Sequence, residues 1–223
     1  MQHSNANRLY RILEWIMWIM YLNLLWIVGM IAGVGILGFF PATMATVVTI
    51  REWYMKEGDL SFTKTYFRAW KKHFIKANLF GYFYLLIGYI LVVDYLWLLQ
   101  QNNDFVSILF VIFILLCVLY VVSLIYLFPV YSHFDTGFLQ TIRHAIILGF
   151  FSPFMTILIG VLLVGVGYLW MLVPGFIPVV GISVPLYIIT RLALHAFQTF
   201  KEKQAALVED TSESLDKGEE TNA

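Results

Sequence analysis

The segment GVGILG at residues 33–38 has the glycine spacing of a loop that binds the pyrophosphate of a dinucleotide. That chemistry needs a strand before the glycines, a helix after them and an acid about 20 residues further on. Glu57 and Asp59 stand near that distance, but the glycines lie inside an uncharged apolar run that covers residues 15–50. We therefore predict a turn between two membrane helices, which would put these acids across the bilayer from the glycines.

Polar residues inside apolar runs form a second set of candidates, because an ionisable group in a membrane is costly and often functional. Asp94 could carry a coupling proton or bind a substrate, yet it lies near the outer end of its run beside Tyr95. We favour a structural or interfacial role for Asp94. Asn23 lies deeper and is expected to make an interhelical hydrogen bond. Arg191 is expected to snorkel inward or to pair with a buried acceptor.

A third group, His133, Asp135, Arg143 and His144, lies close together in sequence and has the residue types of a metal or acid–base site. A helix cap by Asp135 and anchoring at the inner membrane face by Arg143 explain the same residues, and we favour that interpretation. The sequence contains no HExxH, Walker A or CxxC motif. We therefore predict no catalytic residue, metal or cofactor, and no enzyme activity.

The segment SFTKTYFRAWKKHFIKAN at residues 61–78 carries two series with a period of four. One is aromatic (Phe62, Tyr66, Trp70 and Phe74), and the other is basic (Lys64, Arg68, Lys72 and Lys76). Because the series are offset by two positions, they predict an amphipathic helix over about 60–76 that lies on the anionic inner leaflet. The alternative is a docking surface for a cytoplasmic partner or an anionic ligand. Nucleic-acid binding is not expected, since the aromatic residues face away from the charges.

The apolar runs predict the elements that must position these residues. Residues 15–50 would form a single helix of about 54 Å, far longer than the hydrocarbon core of about 30 Å, so two short helices fit better. The predicted fold is all-α, a bundle of six transmembrane helices, in which the first two are joined by the glycine-rich turn and Pro41 begins the second. We expect Pro153 to bend the fifth span, and Gly160, Gly165 and Gly167 to let it pack closely against its neighbours. The spans cover about 12–33, 41–55, 77–99, 105–129, 142–172 and 180–199.

Charge sets the predicted orientation. Arg8 and Arg11 precede the first span and the basic segment follows the second, so a turn at the glycines places all of them in the cytoplasm. Both termini are then cytoplasmic, in a multi-pass protein of a bacterial cell membrane. The alternative has five spans and an outer N-terminus.

Composition supports one membrane domain over residues 1–200. Hydrophobic residues make up 61% of the 223, and charged ones 13%, against about 25% in ordinary soluble domains. Residues 201–223 are acidic and poor in apolar residues, so we predict a disordered cytoplasmic tail. Cys117 is the single cysteine, which excludes an intrachain disulfide.

Four segments resemble the YesL-type family of bacterial integral membrane proteins of unknown function: NLLW at 23–26, FFPAT at 39–43, residues 58–78, and HFDTGFLQTIRHA at 133–145. The resemblance implies genes found beside carbohydrate ABC importers and glycan-degrading enzymes. It implies no established reaction and no catalytic residues.

We expect a non-enzymatic accessory protein of carbohydrate uptake, whose partners are the bilayer with its anionic inner-leaflet lipids and a carbohydrate ABC transporter. The alternative is a small-solute transporter or channel, which should line its path with polar groups near the midplane. An intramembrane enzyme would need a paired nucleophile and base, and the sequence does not place such a pair together.

Overall fold

The computed structural model describes residues 2–55, 60–101, 105–134 and 136–200, with side chains from residue 10 onward except at 105. In these ranges the regular structure is helical, with no strand. The longer helices are α1 (Gln2–Ala32), α2 (Ile36–Met55), α3 (Phe62–Leu98), α4 (Phe105–Phe134), α5 (Phe138–Phe151) and α6 (Pro153–Leu172). A 3-10 turn (Pro174–Phe176) leads to the short α7 (Ile177–Val180) and then to α8 (Ser183–Phe200). The predicted acidic tail lies outside the described residues.

The prediction of an all-α membrane fold is confirmed, but the count of six spans is not supported. Among the described helices, four are long and apolar enough to cross a membrane: α1 from Tyr10, α3, α4 and α6. A bent pair, α7 with its preceding turn and α8, raises the number to five if it counts as one span. The span predicted over 142–172 is two helices, because Pro153 ends α5 and begins α6.

The turn between α1 and α2 lies where the glycines predicted it. Val34 and Gly35 have φ angles of 59° and 71°, the left-handed region that reverses the chain in few residues. Gly38 then lies against the backbone carbonyl of Met30, so the two helices touch without a side chain between them. The predicted helix start at Pro41 is wrong, since α2 begins at Ile36 and the proline lies inside it.

Helix α2 forms the centre of the fold, with every residue from 41 to 50 buried. Burial on all sides needs internal partners for its polar side chains. The hydroxyls of Thr43, Thr46 and Thr49 each donate to the carbonyl four residues earlier, at 2.7–2.9 Å. The indole Nε1 of Trp26 on α1 also donates to Thr43, which ties the two helices together.

Helix α3 runs unbroken through the segment predicted as an interfacial helix and the third span. At 37 residues it is about 55 Å long, and it contains neither a proline nor a break near residue 76. Its first half packs along α2: Phe62 contacts Trp53 near the end of α2, and Gly81 lies against Phe40 near the start. The interfacial helix is therefore not a separate element.

A second apolar cluster joins α4, α5, α6 and α8 around Tyr126, Leu148, Ile159 and Phe197. Gly149 on α5 lies directly against Val122 on α4, which brings these two helices close. The prediction for the glycines of α6 is wrong. A side chain added at Gly160, Gly165 or Gly167 would meet nothing within 4 Å.

Candidate functional site

The aromatic series of α3 faces the protein interior. The ring of Phe62 stacks on Trp18 with centroids 4.0 Å apart, and Tyr66 is completely buried. Trp70 Nε1 donates to the carbonyl oxygen of Gly29 at 3.1 Å. The expectation that this face lies on the lipid surface is therefore wrong: it holds α3 against α1 and α2.

The basic series faces outward, as the period of four predicted. Lys64, Arg68, Lys72 and Lys76 are all exposed, and so is Lys71. Because the opposite face of the helix is locked into the core, these five side chains project from a rigid element. We call them the cationic face.

A cavity of about 310 Å³ lies beside the cationic face, where α2, α3 and the last turn of α4 meet. Its walls are Val48, Arg51, Glu52, Thr65, Arg68, Ala69, Lys72, His73, Tyr131, Ser132 and His133. We call it the cationic pocket. Two members of the cationic face, Arg68 and Lys72, also line it, so the pocket opens at the edge of that face.

Permanent positive charge exceeds negative charge in the cationic pocket. Arg51, Arg68 and Lys72 line it together with a single carboxylate, Glu52. The Nε atom of Arg51 is shielded from solvent and has no hydrogen-bond partner. A buried donor without a partner costs about 1–3 kcal/mol.

Two histidines complete the wall of the pocket. His73 Nδ1 lies 3.1 Å from the hydroxyl of Tyr131, and this hydrogen bond joins α3 to α4. The ring of His133 stacks on Phe197 of α8 with centroids 4.7 Å apart. These contacts hold both imidazoles in the wall of the cavity.

Of the candidates near residues 133–144, His133 lines the cationic pocket, whereas Arg143 and His144 do not. Arg143 and His144 are exposed on α5, and the ring of His144 lies beside Phe134. Asp135 lies outside the described residues. Within the described part of the chain, no three His, Cys, Asp or Glu side chains are grouped so that they could hold a metal ion.

Asn23 makes the interhelical hydrogen bonds that its position predicted. Its Nδ2 donates to Pro178 O at 2.8 Å, and its Oδ1 accepts from the backbone N–H groups of Ile182 and Ser183 at 3.1 and 3.3 Å. The side chain thereby satisfies backbone groups at the bend between α7 and α8. Its polar atoms are engaged by the fold.

Asp94 and Arg191 lie apart from the cationic pocket. Asp94 is exposed on the last turns of α3, next to Tyr95, whose ring stacks on Phe113 of α4. The guanidinium of Arg191 lies 3.9 Å from the ring centroid of Tyr54, so its partner is an aromatic face rather than a buried acceptor.

The sequence did not single out Arg51, Glu52 or His73 as members of a site. Arg51 and Glu52 directly follow the buried run of α2, and this abrupt change from apolar to charged residues is the signal that was available. Which of the many cations converge depends on the packing of α4 against α3. Spacing along the chain does not reveal that packing.

These features define an all-α membrane protein with four or five apolar spans and a cationic pocket at one end of its central helices. The chain belongs to the family described as "Protein of unknown function, DUF624", which matches residues 19–95. That region contains the second part of α1 from residue 19, all of α2 and nearly all of α3, and so includes Arg51, Arg68 and Lys72. This confirms the expected YesL-type family.

Three uncharacterized proteins of Bacillus subtilis (strain 168) resemble the chain. YteU is 30% identical over 193 residues, which is 86% of this chain and 86% of the relative. YesL is 29% identical over 204 residues, or 92% and 96% of the two chains. YesV is 29% identical over 166 residues, or 73% and 78%. No solved structure matches the chain.

Proposed function

We propose that the protein is a non-enzymatic membrane accessory component of carbohydrate uptake, which contacts a carbohydrate ABC transporter through its cationic face. The proposed contact with the transporter rests on one observation. Five exposed cations project from a helix whose other face is fixed in the core. From Lys64 to Lys76 they extend over about 18 Å of helix. The link to carbohydrate uptake rests on the YesL-type resemblance.

The cationic face suits an acidic protein surface because its charges are held in place before binding. Preorganised charges lose little conformational entropy on binding and speed encounter with a partner of opposite charge. Those nearest the membrane also attract anionic inner-leaflet lipid, at about 1 kcal/mol per charge near the surface. In this proposal the lipid orients the face and the transporter occupies it.

We place both termini and the cationic face in the cytoplasm, as the charge asymmetry favours. Four segments then cross the bilayer: the apolar half of α3, α4, α6, and α8 with its bend. The α1–α2 hairpin enters from the cytoplasmic side without crossing, because α2 packs along the basic half of α3. A crossing at α2 would carry exposed Lys71 and Lys72 to bilayer depth, at about 2.5–3.5 kcal/mol per charge near the centre.

The alternative proposal, a small-solute transporter, draws its support from Asp94 within a span. Against it, the polar atoms of Asn23 already serve the bend between α7 and α8. Replacing Asp94 with Asn removes the charge and nearly keeps the shape. We expect this variant to leave growth on the relevant sugar unchanged in a complemented deletion strain. Solute flux into vesicles by the purified protein alone, abolished by Asp94→Asn, would establish the transporter instead.

The accessory role is tested by copurification from native membranes with mass spectrometry. We expect transporter subunits to accompany the wild-type chain and to be lost with Lys64→Gln plus Lys71→Gln, two members of the cationic face outside the pocket. Arg11→Gln plus Arg143→Gln removes the same charge from exposed sites elsewhere and should keep the partner. Equal retention by both double variants would refute the proposed contact.

A further inference from the structure

We propose that the cationic pocket is a binding site for a phosphoryl group. The ligand is either a soluble phosphate monoester or the phosphate of an anionic lipid headgroup. The site is distinct from the cationic face in its key residue, since Arg51 comes from α2 and is not part of that face.

Charge is the first argument for this ligand. Arg51, Arg68 and Lys72 against Glu52 leave a net of two positive charges when both histidines are neutral. A phosphate monoester carries about −1.5 to −2 at neutral pH, so it matches this excess. The phosphodiester of a lipid headgroup carries one negative charge and would neutralise half of the excess.

Geometry is the second argument. The solvent-shielded Nε of Arg51 has no acceptor in the fold, although a guanidinium can present two parallel N–H donors to phosphate oxygens. Arg68 and Lys72 lie one helical turn apart on α3, so both can reach one anion. The pocket thus supplies donors from two helices that the anion would bridge.

Size is the third argument. A volume of about 310 Å³ exceeds what a lone phosphate needs and lies at the lower end of the range for small-molecule sites. The walls also offer apolar and aromatic surface from Val48, Ala69 and Tyr131. The site therefore fits a phosphoryl group joined to a small organic body.

The test uses the full chain in nanodiscs of neutral phosphatidylcholine, titrated calorimetrically with inorganic phosphate and with glycerol 3-phosphate. A parallel arm measures how much phosphatidylglycerol is retained from mixed micelles. The informative variant is Arg51→Gln, and the matched control is Arg143→Gln, which removes the same charge from α5 outside both the pocket and the cationic face. Thermal unfolding of both variants confirms that they are folded.

We expect Arg51→Gln to weaken binding by about tenfold or more, because a hydrogen bond to a charged group contributes about that factor. Arg143→Gln should change it less than about threefold, by long-range charge alone. If Arg51→Gln weakens the binding of phosphate or glycerol 3-phosphate, the ligand is a soluble phosphate ester. If Arg51→Gln lowers only the retention of phosphatidylglycerol, the ligand is a lipid headgroup. Absence of binding in both arms, or equal weakening by the two variants, overturns the proposal.

Discussion

The side-chain amide of Asn23 donates a hydrogen bond to the carbonyl oxygen of Pro178 at 2.8 Å and so joins α1 to the bend before α8. The chain bends by 62° there, which leaves backbone groups without helical partners. In apolar surroundings each such group must find another partner. One side chain provides this for three of them, since Asn23 Oδ1 also accepts from the N–H groups of Ile182 and Ser183.

Replacing Asn23 with Leu should therefore lower the free energy of unfolding by about 3 kcal/mol or more, since each buried group left without a partner costs about 1–3 kcal/mol. Thermal unfolding in detergent, followed by circular dichroism, measures this. Asn78→Leu is the matched control, because Asn78 is also buried but bonds only to Phe74 in its own helix. Equal destabilisation by both variants would contradict the proposed role of Asn23 at the bend.

The aromatic series of α3 gives a second prediction. Phe62→Ala should destabilise the protein by about 3–5 kcal/mol, because it empties the space between Trp18 and Trp53. Tyr89→Ala, on the same helix but 68% exposed, should cost less than about 1 kcal/mol. Chemical denaturation in mixed micelles compares the two. If Phe62 anchored the helix only in lipid, the two variants would unfold alike.

Glycine substitutions test the close approach of α1 and α2. An added methyl group at Gly38 would collide with the carbonyl of Met30, a backbone atom that cannot move aside, so Gly38→Ala should cost about 1–3 kcal/mol. Gly160→Ala meets nothing and should be neutral or stabilising by up to about 1 kcal/mol, since alanine is the better helix former. Melting temperatures of the two variants should shift in opposite directions or differ by several degrees.

The sequence was a good guide where local chemistry decides the structure. The turn at Gly35 was predicted because its glycines lie in an uncharged run too long to be one crossing. The break before α6 follows from Pro153, which cannot continue α5. The opposite faces of α3 follow from two series with the same period.

Periodicity did not reveal what covers each face. An aromatic stripe suits a lipid surface and a protein core equally well, and only the contacts of Tyr66 and Trp70 with α1 and α2 distinguish them. The sequence did not predict the cationic pocket for a related reason. The packing of three helices brings Arg51, Arg68 and His133 together. Their spacing in the chain does not indicate this packing.

Orientation in the membrane gives the last prediction. Single cysteines in a Cys117→Ala background can be labelled with an impermeant thiol reagent in intact cells. Gln100 and Gly175, just beyond the ends of α3 and α6, should be labelled from outside, whereas Lys71 and Ser132 should react only after permeabilisation.

Ile36 lies at the tip of the hairpin and is 76% exposed, and it is the site that distinguishes the two arrangements. Cysteine is tolerated there because Ile36 lacks the positive φ of Gly35. If the hairpin enters from the cytoplasm without crossing, Ile36→Cys stays unlabelled in intact cells, since its tip ends within the bilayer beside the apolar half of α3. Labelling of Ile36→Cys from outside, with Lys71→Cys still protected, would restore the six-span arrangement. The cations beside α2 would then have to be shielded within the bilayer by another protein.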